Sequence, residues 1–360
     1  MKYTNTENFD HGQKPKIGVL ITNLGTPEAP ETAPVRRYLK QFLSDPRVVE
    51  IPRLIWWFIL NGVILNIRPK RSAAAYRKVW NSDGSPLLKH TQDQAKALEK
   101  AFAEKYNGQV IVDFAMRYGT PSIKLKVQNL LDQGVTRLLV LPLYPQYSGA
   151  TTASTFDALA EDFTSRRWIP ELRFATHYHD HPAYINAVAN KIRAHWADHG
   201  RAEKLIFSYH GVPQSYLDMG DPYHCECYKT TRLVAEALEL DESAYATTFQ
   251  SRFGRQEWLK PYTDKVLQEL AAQGVKSLQI LCPGFSADCL ETIEEIDEEN
   301  RGYFLDAGGE RFEYIPCLNS DVEHISALSQ LIEEQLAGWA TDLQPVHTTK
   351  TLALARGAPN

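Results

Sequence analysis

One ordered set of landmarks occurs twice in this chain. An apolar run closes in Leu24-Gly25-Thr26-Pro27, and a later one closes in His210-Gly211-Val212-Pro213. Phe114-Ala115-Met116-Arg117-Tyr118-Gly119 is answered by Phe249-Gln250-Ser251-Arg252-Phe253-Gly254. Gln133-Gly134-Val135, leading to Leu141-Pro142, is answered by Gln273-Gly274-Val275, leading to Leu281-Cys282-Pro283. Three landmarks in the same order imply two versions of one unit. The first copy is longer, with 94 residues from Gly25 to Gly119 against 43 from Gly211 to Gly254. The surplus is an insertion that covers something.

Short apolar runs alternate with longer amphipathic stretches. Lys16–Asn23, Arg137–Leu141, Lys204–Ser208 and Ser277–Leu281 read as buried strands, with helical stretches such as Thr91–Tyr106 and Lys260–Gln273 between them. This alternation predicts an α/β protein with parallel sheets flanked by helices. The expected division is an N-terminal domain over 14–172 and a C-terminal domain over 173–321. The helix near 322–339 is expected to pack back on the first domain, and the tail 341–360 to be loose. In such sheets ligands sit beyond the carboxyl ends of the strands, so the strand ends named above face a cleft between the copies. No GxGxxG follows the first strand, which argues against a nicotinamide enzyme.

The 360 residues and 43% hydrophobic content suit two cores. A formal charge of −5 argues against a nucleic-acid partner. Met1–Gln13 is polar without an apolar stretch, so the expected location is cytoplasmic, with or without membrane association. Five cysteines without an export signal do not describe a disulfide framework. Leu54–Ile67, flanked by Arg53, Arg68, Lys70 and Arg71, is 14 residues long, against about 20 needed to span a bilayer. It reads either as a buried helix plus a turn at Asn61–Gly62, or as an apolar lip that touches a membrane surface through Trp56, Trp57 and Phe58. Nothing in the sequence sets an oligomeric state.

His210 ends a buried strand, where it either serves a cleft as a proton acceptor or bonds a neighbouring loop. Ser286–Asn300 reads as a helix on which Leu290, Ile293 and Ile296 pack while Glu291, Glu295 and Glu298 share another face. Those carboxylates form either a solvated face, with Asp288 and Glu291 as a capping pair, or a cavity wall opposite His210 that holds a divalent cation loosely and passes protons. Leu141–Thr155 offers the aromatic faces of Tyr144 and Tyr147 and hydroxyls including Ser148, a surface for a large flat ligand with carboxylate tails. Arg77 and Arg117 either meet such carboxylates or form ion pairs within a domain. Cys225, Cys227, Cys282 and Cys289 are the candidates for a structural or cluster site, though the CxC spacing of Cys225 and Cys227 does not match a zinc site. His177-Tyr178-His179-Asp180-His181-Pro182 reads as a polar strand exit into a helix begun by Pro182.

Phe207–Pro213 with Gly220-Asp221-Pro222-Tyr223 resembles the histidine motif of the ferrochelatases, and Pro283–Thr292 resembles their glutamate motif. Asn23–Pro27, Arg36–Val48, Gly84–Leu87, Met116–Pro121 and Leu141–Thr152 also resemble family segments, with the proteobacterial branch the nearest likeness. The resemblance runs in order from about 16 to 324. It implies two similar Rossmann-like domains, each with a four-stranded parallel sheet, clasping a porphyrin. It implies insertion of Fe2+ into protoporphyrin IX to give protohaem, with iron a substrate and no cofactor required; the five cysteines do not clearly match the [2Fe-2S] patterns of the cluster-bearing branches. His210 and Glu291 are then the catalytic and metal-contacting pair, and Glu295 extends an acidic path. Leu24, Ser85 and Tyr118 join Arg77, Arg117, Tyr144, Tyr147 and Ser148 as porphyrin-binding residues, with Leu24 on the macrocycle face opposite His210. Two alternatives are a cobalt or nickel chelatase of a sirohydrochlorin-type tetrapyrrole and a non-catalytic porphyrin or haem carrier.

Overall fold

The computed structural model describes residues 3–4, 11–12, 14–254, 256–339 and 349–358. In the first sheet β1 (Lys16–Thr26) lies between β2 (Val110–Gly119) and β3 (Val135–Pro142), with β4 (Glu171–Phe174) outside β3, giving the order β2-β1-β3-β4. The second sheet repeats it: β5 (Lys204–His210) lies between β6 (Tyr245–Gln250) and β7 (Ser277–Leu281), with β8 (Arg311–Tyr314) outside, giving β6-β5-β7-β8. Every pairing is parallel. The repeated landmarks are therefore equivalent places in two equivalent sheets. Strand pairing divides the chain after Phe174, slightly beyond the expected boundary at 172, because β4 completes the first sheet.

The echoed glycines have a common cause. A Cβ at Gly25 would lie 1.8 Å from the Tyr118 carbonyl oxygen, and one at Gly211 would lie 2.7 Å from that of Gln250. In both copies the central strand leaves the sheet pressed against its neighbour's backbone, which excludes any side chain.

Alternate residues of β1 enter different cores, as a sheet covered on both faces requires. Ile17, Val19 and Ile21 pack with Leu98 and Phe102 of the helix Pro86–Lys105, while Leu20 packs with Val127 and Leu131 on the opposite face. The first of these cores continues through Tyr184, Val188 and Ile192 of the helix Pro182–His199 to Leu205, Phe207 and Tyr209 of β5. Leu328 and Ile332 of the helix Val322–Gln335 join it too. The two sheets are thereby held by shared apolar packing. In the tail, Thr349–Ala355 is helical. Residues 340–348 lie outside the described residues.

Four strands, β2, β4, β6 and β8, are not among those expected: β2 interrupts its apolar run with Asp113 and Arg117, and the other three are polar or short. β6 buries Thr247, Thr248 and Gln250, and β4 and β8 have four residues each. In β6 the polarity is matched internally: Ser208 Oγ donates to Gln250 Oε1 at 2.7 Å, and Thr263 Oγ1 donates to Thr248 Oγ1 at 2.9 Å.

Between β1 and β2 the insertion forms helices Thr32–Leu43, Arg53–Ile59 and Leu65–Val79. The turn expected at Asn61–Gly62 does not form. The helix runs on through a wider π turn at Leu60–Ile64. Asn61 Nδ2 donates to the Trp57 carbonyl at 2.9 Å, and Asn66 Nδ2 donates to those of Asn61 and Gly62 at 3.1 and 2.9 Å. These amides satisfy carbonyls that an irregular helix leaves open. Leu54, Ile55, Trp57, Phe58, Val63 and Ile67 are exposed. Trp56 is excluded from this lip: it is buried, and its Nε1 donates to the Leu43 carbonyl at 2.6 Å. No helix among the described residues is long and apolar enough to cross a membrane.

Candidate active site

β5 carries His210 to the rim of the second sheet, opposite Gln250 in β6. The ring is partly buried, with its Nδ1 2.6 Å from the Gly211 carbonyl oxygen and its centroid 6.4 Å from that of Phe285. A carbonyl only accepts, so Nδ1 is the donor, and the neutral form of this ring has its lone pair on Nε2. The imidazole is thus in the tautomer that can take up a proton at Nε2.

Gln250 links this histidine to the acidic segment. Its carbonyl accepts from Gly211 N–H at 2.7 Å, and its Nε2 donates to the Glu291 carbonyl at 2.8 Å. Its Oε1 accepts from Ser208 Oγ and from Cys282 Sγ at 3.4 Å. One buried amide therefore sets the start of the acidic helix against the end of β5.

The acidic helix is a π segment over Glu291–Asn300. With i→i+5 bonding each turn holds more residues than an α turn, which changes the expected face. Glu291 and Glu295 remain neighbours. Glu298 joins Glu294 instead, and both bind Lys78 of the insertion at 2.6 and 3.2 Å. The ladder is thus a pair, and Glu298 belongs to a bridge between the copies. The packed stripe divides as well: Leu290 and Ile293 pack on the insertion's core with Tyr38 and Tyr76, and Ile296 packs in the core of the second sheet. Asp288 does not pair with Glu291 as a cap. It is buried and accepts from Asn319 Nδ2 at 2.7 Å, Cys317 N–H at 3.1 Å and the Tyr314 hydroxyl.

Glu295 accepts from Ser251 N–H at 2.7 Å and from the Ser251 hydroxyl. Burial raises its pKa to about 7, the nearby Glu291 charge adds to that, and the Ser251 donors oppose it. Glu291 also faces the first copy. Its charge adds to the effect of burial in raising the Tyr38 and Tyr76 hydroxyls, and opposes the lowering of Arg68 by burial. The Arg68 guanidinium in turn lies 4.6 Å from the Phe253 ring centre. The insertion thus closes over the Glu291 side of the site with two tyrosines and an arginine.

On the other wall Leu24 is half-buried against Leu87, Ala287, Cys289 and Phe285. Asn23 beside it donates to Ser286 Oγ at 3.3 Å and Thr91 Oγ1 at 3.1 Å, joining the copies. Ser85 is buried just before the helix Pro86–Lys105. Tyr144 is half-buried with a hydroxyl that has no hydrogen-bond partner among the described residues, and burial raises its pKa. Ser148 is buried, with its Oγ 3.4 Å from Asp221 Oδ2, and Asp221 also accepts from Gly149 N–H at 2.7 Å. The loop after β3 is thereby held by the segment that follows His210.

Three of the expected porphyrin contacts, Arg117, Tyr118 and Arg77, have partners within the protein. Arg117 Nη2 binds Asp45 Oδ2 at 2.6 Å and its Nε donates to Ser154 Oγ at 2.7 Å, while the fully buried Tyr118 donates to the same Asp45 oxygen at 2.7 Å. Burial would raise Asp45, but the Ser154 and Tyr118 hydroxyls, the Arg47 N–H and the Arg117 charge together lower its pKa. Arg117 and Tyr118 therefore hold the loop after the first insertion helix. Exposed Arg77 donates to the Pro30 carbonyl at 3.2 Å.

Sequence reasoning missed Tyr38, Tyr76, Arg68, Gln250 and Ser251. Gln250 and Ser251 lie inside the echoed Phe249–Gly254 landmark, which was the available signal. The tyrosines and Arg68 had none, since their relation to Glu291 arises only from packing of the insertion. Cys225 and Cys227 lie on the helix Tyr223–Ala237, Cys282 follows β7 and Cys289 precedes the acidic helix; all are free thiols.

The family described as Ferrochelatase matches residues 16–336. The chain is 63% identical over 358 residues to a ferrochelatase of Pseudoalteromonas atlantica, covering 99% of both chains. It is 63% identical over 342 residues to one of Idiomarina loihiensis, covering 95% of this chain and 94% of that one. It is 57% identical over 339 residues to one of Alcanivorax borkumensis, covering 94% and 99%. Among solved structures, SirB from Bacillus subtilis with Fe3+ superposes with a TM-score of 0.50 at 11% identity, covering 92% of this chain and 99% of that one. DR2241 from Deinococcus radiodurans gives 0.50 at 10% identity, covering 95% and 60%. Those two likenesses bear on the fold.

Proposed function

The chain belongs to the ferrochelatase family, and from that premise we propose that His210 is the base and the Glu291–Glu295 pair the proton outlet of its reaction. The enzyme inserts ferrous iron into protoporphyrin IX and so forms protohaem, with two protons released. Iron is a substrate, and the reaction calls for no resident cofactor.

A flat porphyrin keeps its nitrogen lone pairs in the ring plane and its centre filled by two N–H protons. A pocket that favours a buckled ring exposes those lone pairs and lowers the barrier to metal entry. In this reading Leu24 and Phe285 press on the ring while His210 Nε2 takes the first pyrrole proton. Glu291 contacts the incoming cation and takes the second pyrrole proton, which passes on to Glu295, whose pKa of about 7 lets it both accept and release one near neutrality. The observation that carries the assignment is the Nδ1–H bond of His210 to Gly211, which assigns Nε2 as the basic nitrogen of the neutral ring at the strand end.

The test is single-turnover insertion of Fe2+ and Zn2+. His210→Ala is expected to lose about 10²–10⁴-fold in rate, the usual range for a positioned acid–base group, while protoporphyrin binding stays within about tenfold. Full activity in that variant would exclude His210 as the base.

The alternatives lose their footing. Relatives 57–63% identical over nearly the whole chain are ferrochelatases, whereas the resemblance to SirB concerns the fold. We read the exposed Leu54, Ile55, Trp57, Phe58 and Ile67, bordered by Arg53, Lys70 and Arg71, as a peripheral contact with the cytoplasmic membrane surface.

A further inference from the structure

Away from Glu291, a set of three metal-ligating side chains converges among the described residues. It comprises His177, His179 and Glu226, whose donor atoms all lie within 4.8 Å of one another. The two histidines follow β4 at a spacing of two. Glu226 is 49 residues beyond His177, in the first turn of the helix Tyr223–Ala237 that follows the His210 segment. The group thus joins the exits of one strand from each sheet. The sequence reads the histidine run as a polar strand exit because its third member is remote.

Both imidazoles address one carboxylate. His177 Nδ1 lies 2.8 Å from Glu226 Oε1, and His179 Nδ1 lies 3.3 Å from Oε2. Tyr147 N–H donates to the same Oε2 at 2.7 Å, and Thr230 Oγ1 donates to the His179 carbonyl at 2.8 Å, so the carboxylate and the His179 backbone are held from behind. His179 is 5% exposed, and its Nδ1, though 3.3 Å from the carboxylate, makes no well-directed hydrogen bond among the described residues. A buried imidazole nitrogen left in that state calls for a partner. His177 is half exposed, which leaves one side open to solution.

We propose that His177, His179 and Glu226 bind one divalent transition-metal ion, separate from the iron that enters the porphyrin. Two imidazoles and a carboxylate favour Zn2+, Co2+ or Fe2+ over Mg2+ and Ca2+, which prefer all-oxygen shells. Three protein ligands leave positions for water, and half-exposed His177 supplies the adjustment that closes the shell. Through Glu226 and Tyr147 the ion braces the loop after β3 against the helix of the other copy.

The inference does not depend on the insertion mechanism, and its test removes that mechanism first. Tag-free His210→Ala/Glu291→Gln protein is titrated with Co2+, with calorimetric stoichiometry and visible absorption recorded together. One equivalent is expected to bind with the absorption of imidazole-ligated Co2+, to be displaced by Zn2+ and to survive excess Mg2+. Adding His177→Ala, at a half-exposed position where the fold is not at stake, is expected to weaken binding at least tenfold with an unchanged circular dichroism melt. Glu226→Gln should weaken it at least as far. Absence of stoichiometric Co2+ binding in the double variant, or equal affinity after His177→Ala, would overturn the proposal.

Discussion

Replacing Glu295 by Gln should stabilise the protein in alkaline solution while slowing its reaction. Burial holds the Glu295 pKa at about 7 against an ordinary 4.5, a difference of about 2.5. At 1.36 kcal/mol for each pKa unit, this is on the order of 3 kcal/mol between its two protonation states. The folded protein binds this proton more tightly than the unfolded chain does. Its stabilising contribution is therefore fully present below pH 4.5 and is lost as the pH rises through 7. Above pH 7 the folded protein carries a buried, charged Glu295 next to Glu291. Gln removes that charge, and its amide can still accept from Ser251 N–H and donate to the Ser251 hydroxyl. Urea unfolding of both proteins at pH 5 and pH 8.5 measures the effect. The variant is expected to match the wild type within about 0.5 kcal/mol at pH 5 and to exceed it by about 2 kcal/mol at pH 8.5, since some relaxation reduces the full figure. A stability difference independent of pH would refute the reasoning, because it would mean that Glu295 titrates alike in the folded and unfolded states.

The same variant should lose at least tenfold in insertion rate, a trade between stability and activity usual at strained polar sites. Glu291→Gln should slow insertion far more than Glu298→Gln, which only weakens the exposed bridge to Lys78; equal losses in steady-state assays would remove Glu291 from the mechanism. Arg117→Ala should cost about 3 kcal/mol in urea unfolding by leaving Asp45 buried beside two hydroxyls, with porphyrin affinity in fluorescence titration little changed; the reverse pattern would return Arg117 to the porphyrin. Trp57→Ser/Phe58→Ser should reduce co-sedimentation with anionic vesicles at least fivefold without altering insertion in detergent, and unchanged sedimentation would exclude the lip as a membrane contact.

Much of the architecture was legible along the chain. The strand-end landmarks recur because each central strand needs a glycine where a Cβ would strike the adjoining carbonyl, at Gly25 and at Gly211. Ser277–Leu281 was legible to the residue because a strand covered on both faces must be apolar along its length. β6 was hidden because its buried threonines and Gln250 are paid for by hydroxyls that come from other segments. His210 stood out for a local reason, being the polar end of an apolar strand followed by a tight turn.

What the sequence determined by itself was the duplicated α/β plan and the segments that carry His210 and Glu291, because turn stereochemistry and burial period are written in neighbouring residues. Tertiary structure alone decided which charges meet. Arg117 reaches Asp45 across 72 residues, Lys78 reaches Glu298 across 220, and His177 reaches Glu226 across 49. A π turn then separated Glu298 from Glu291 and Glu295. Electrostatic partnership depends on distance in space and on exclusion of water, and neither is a property of a stretch of chain before it has packed.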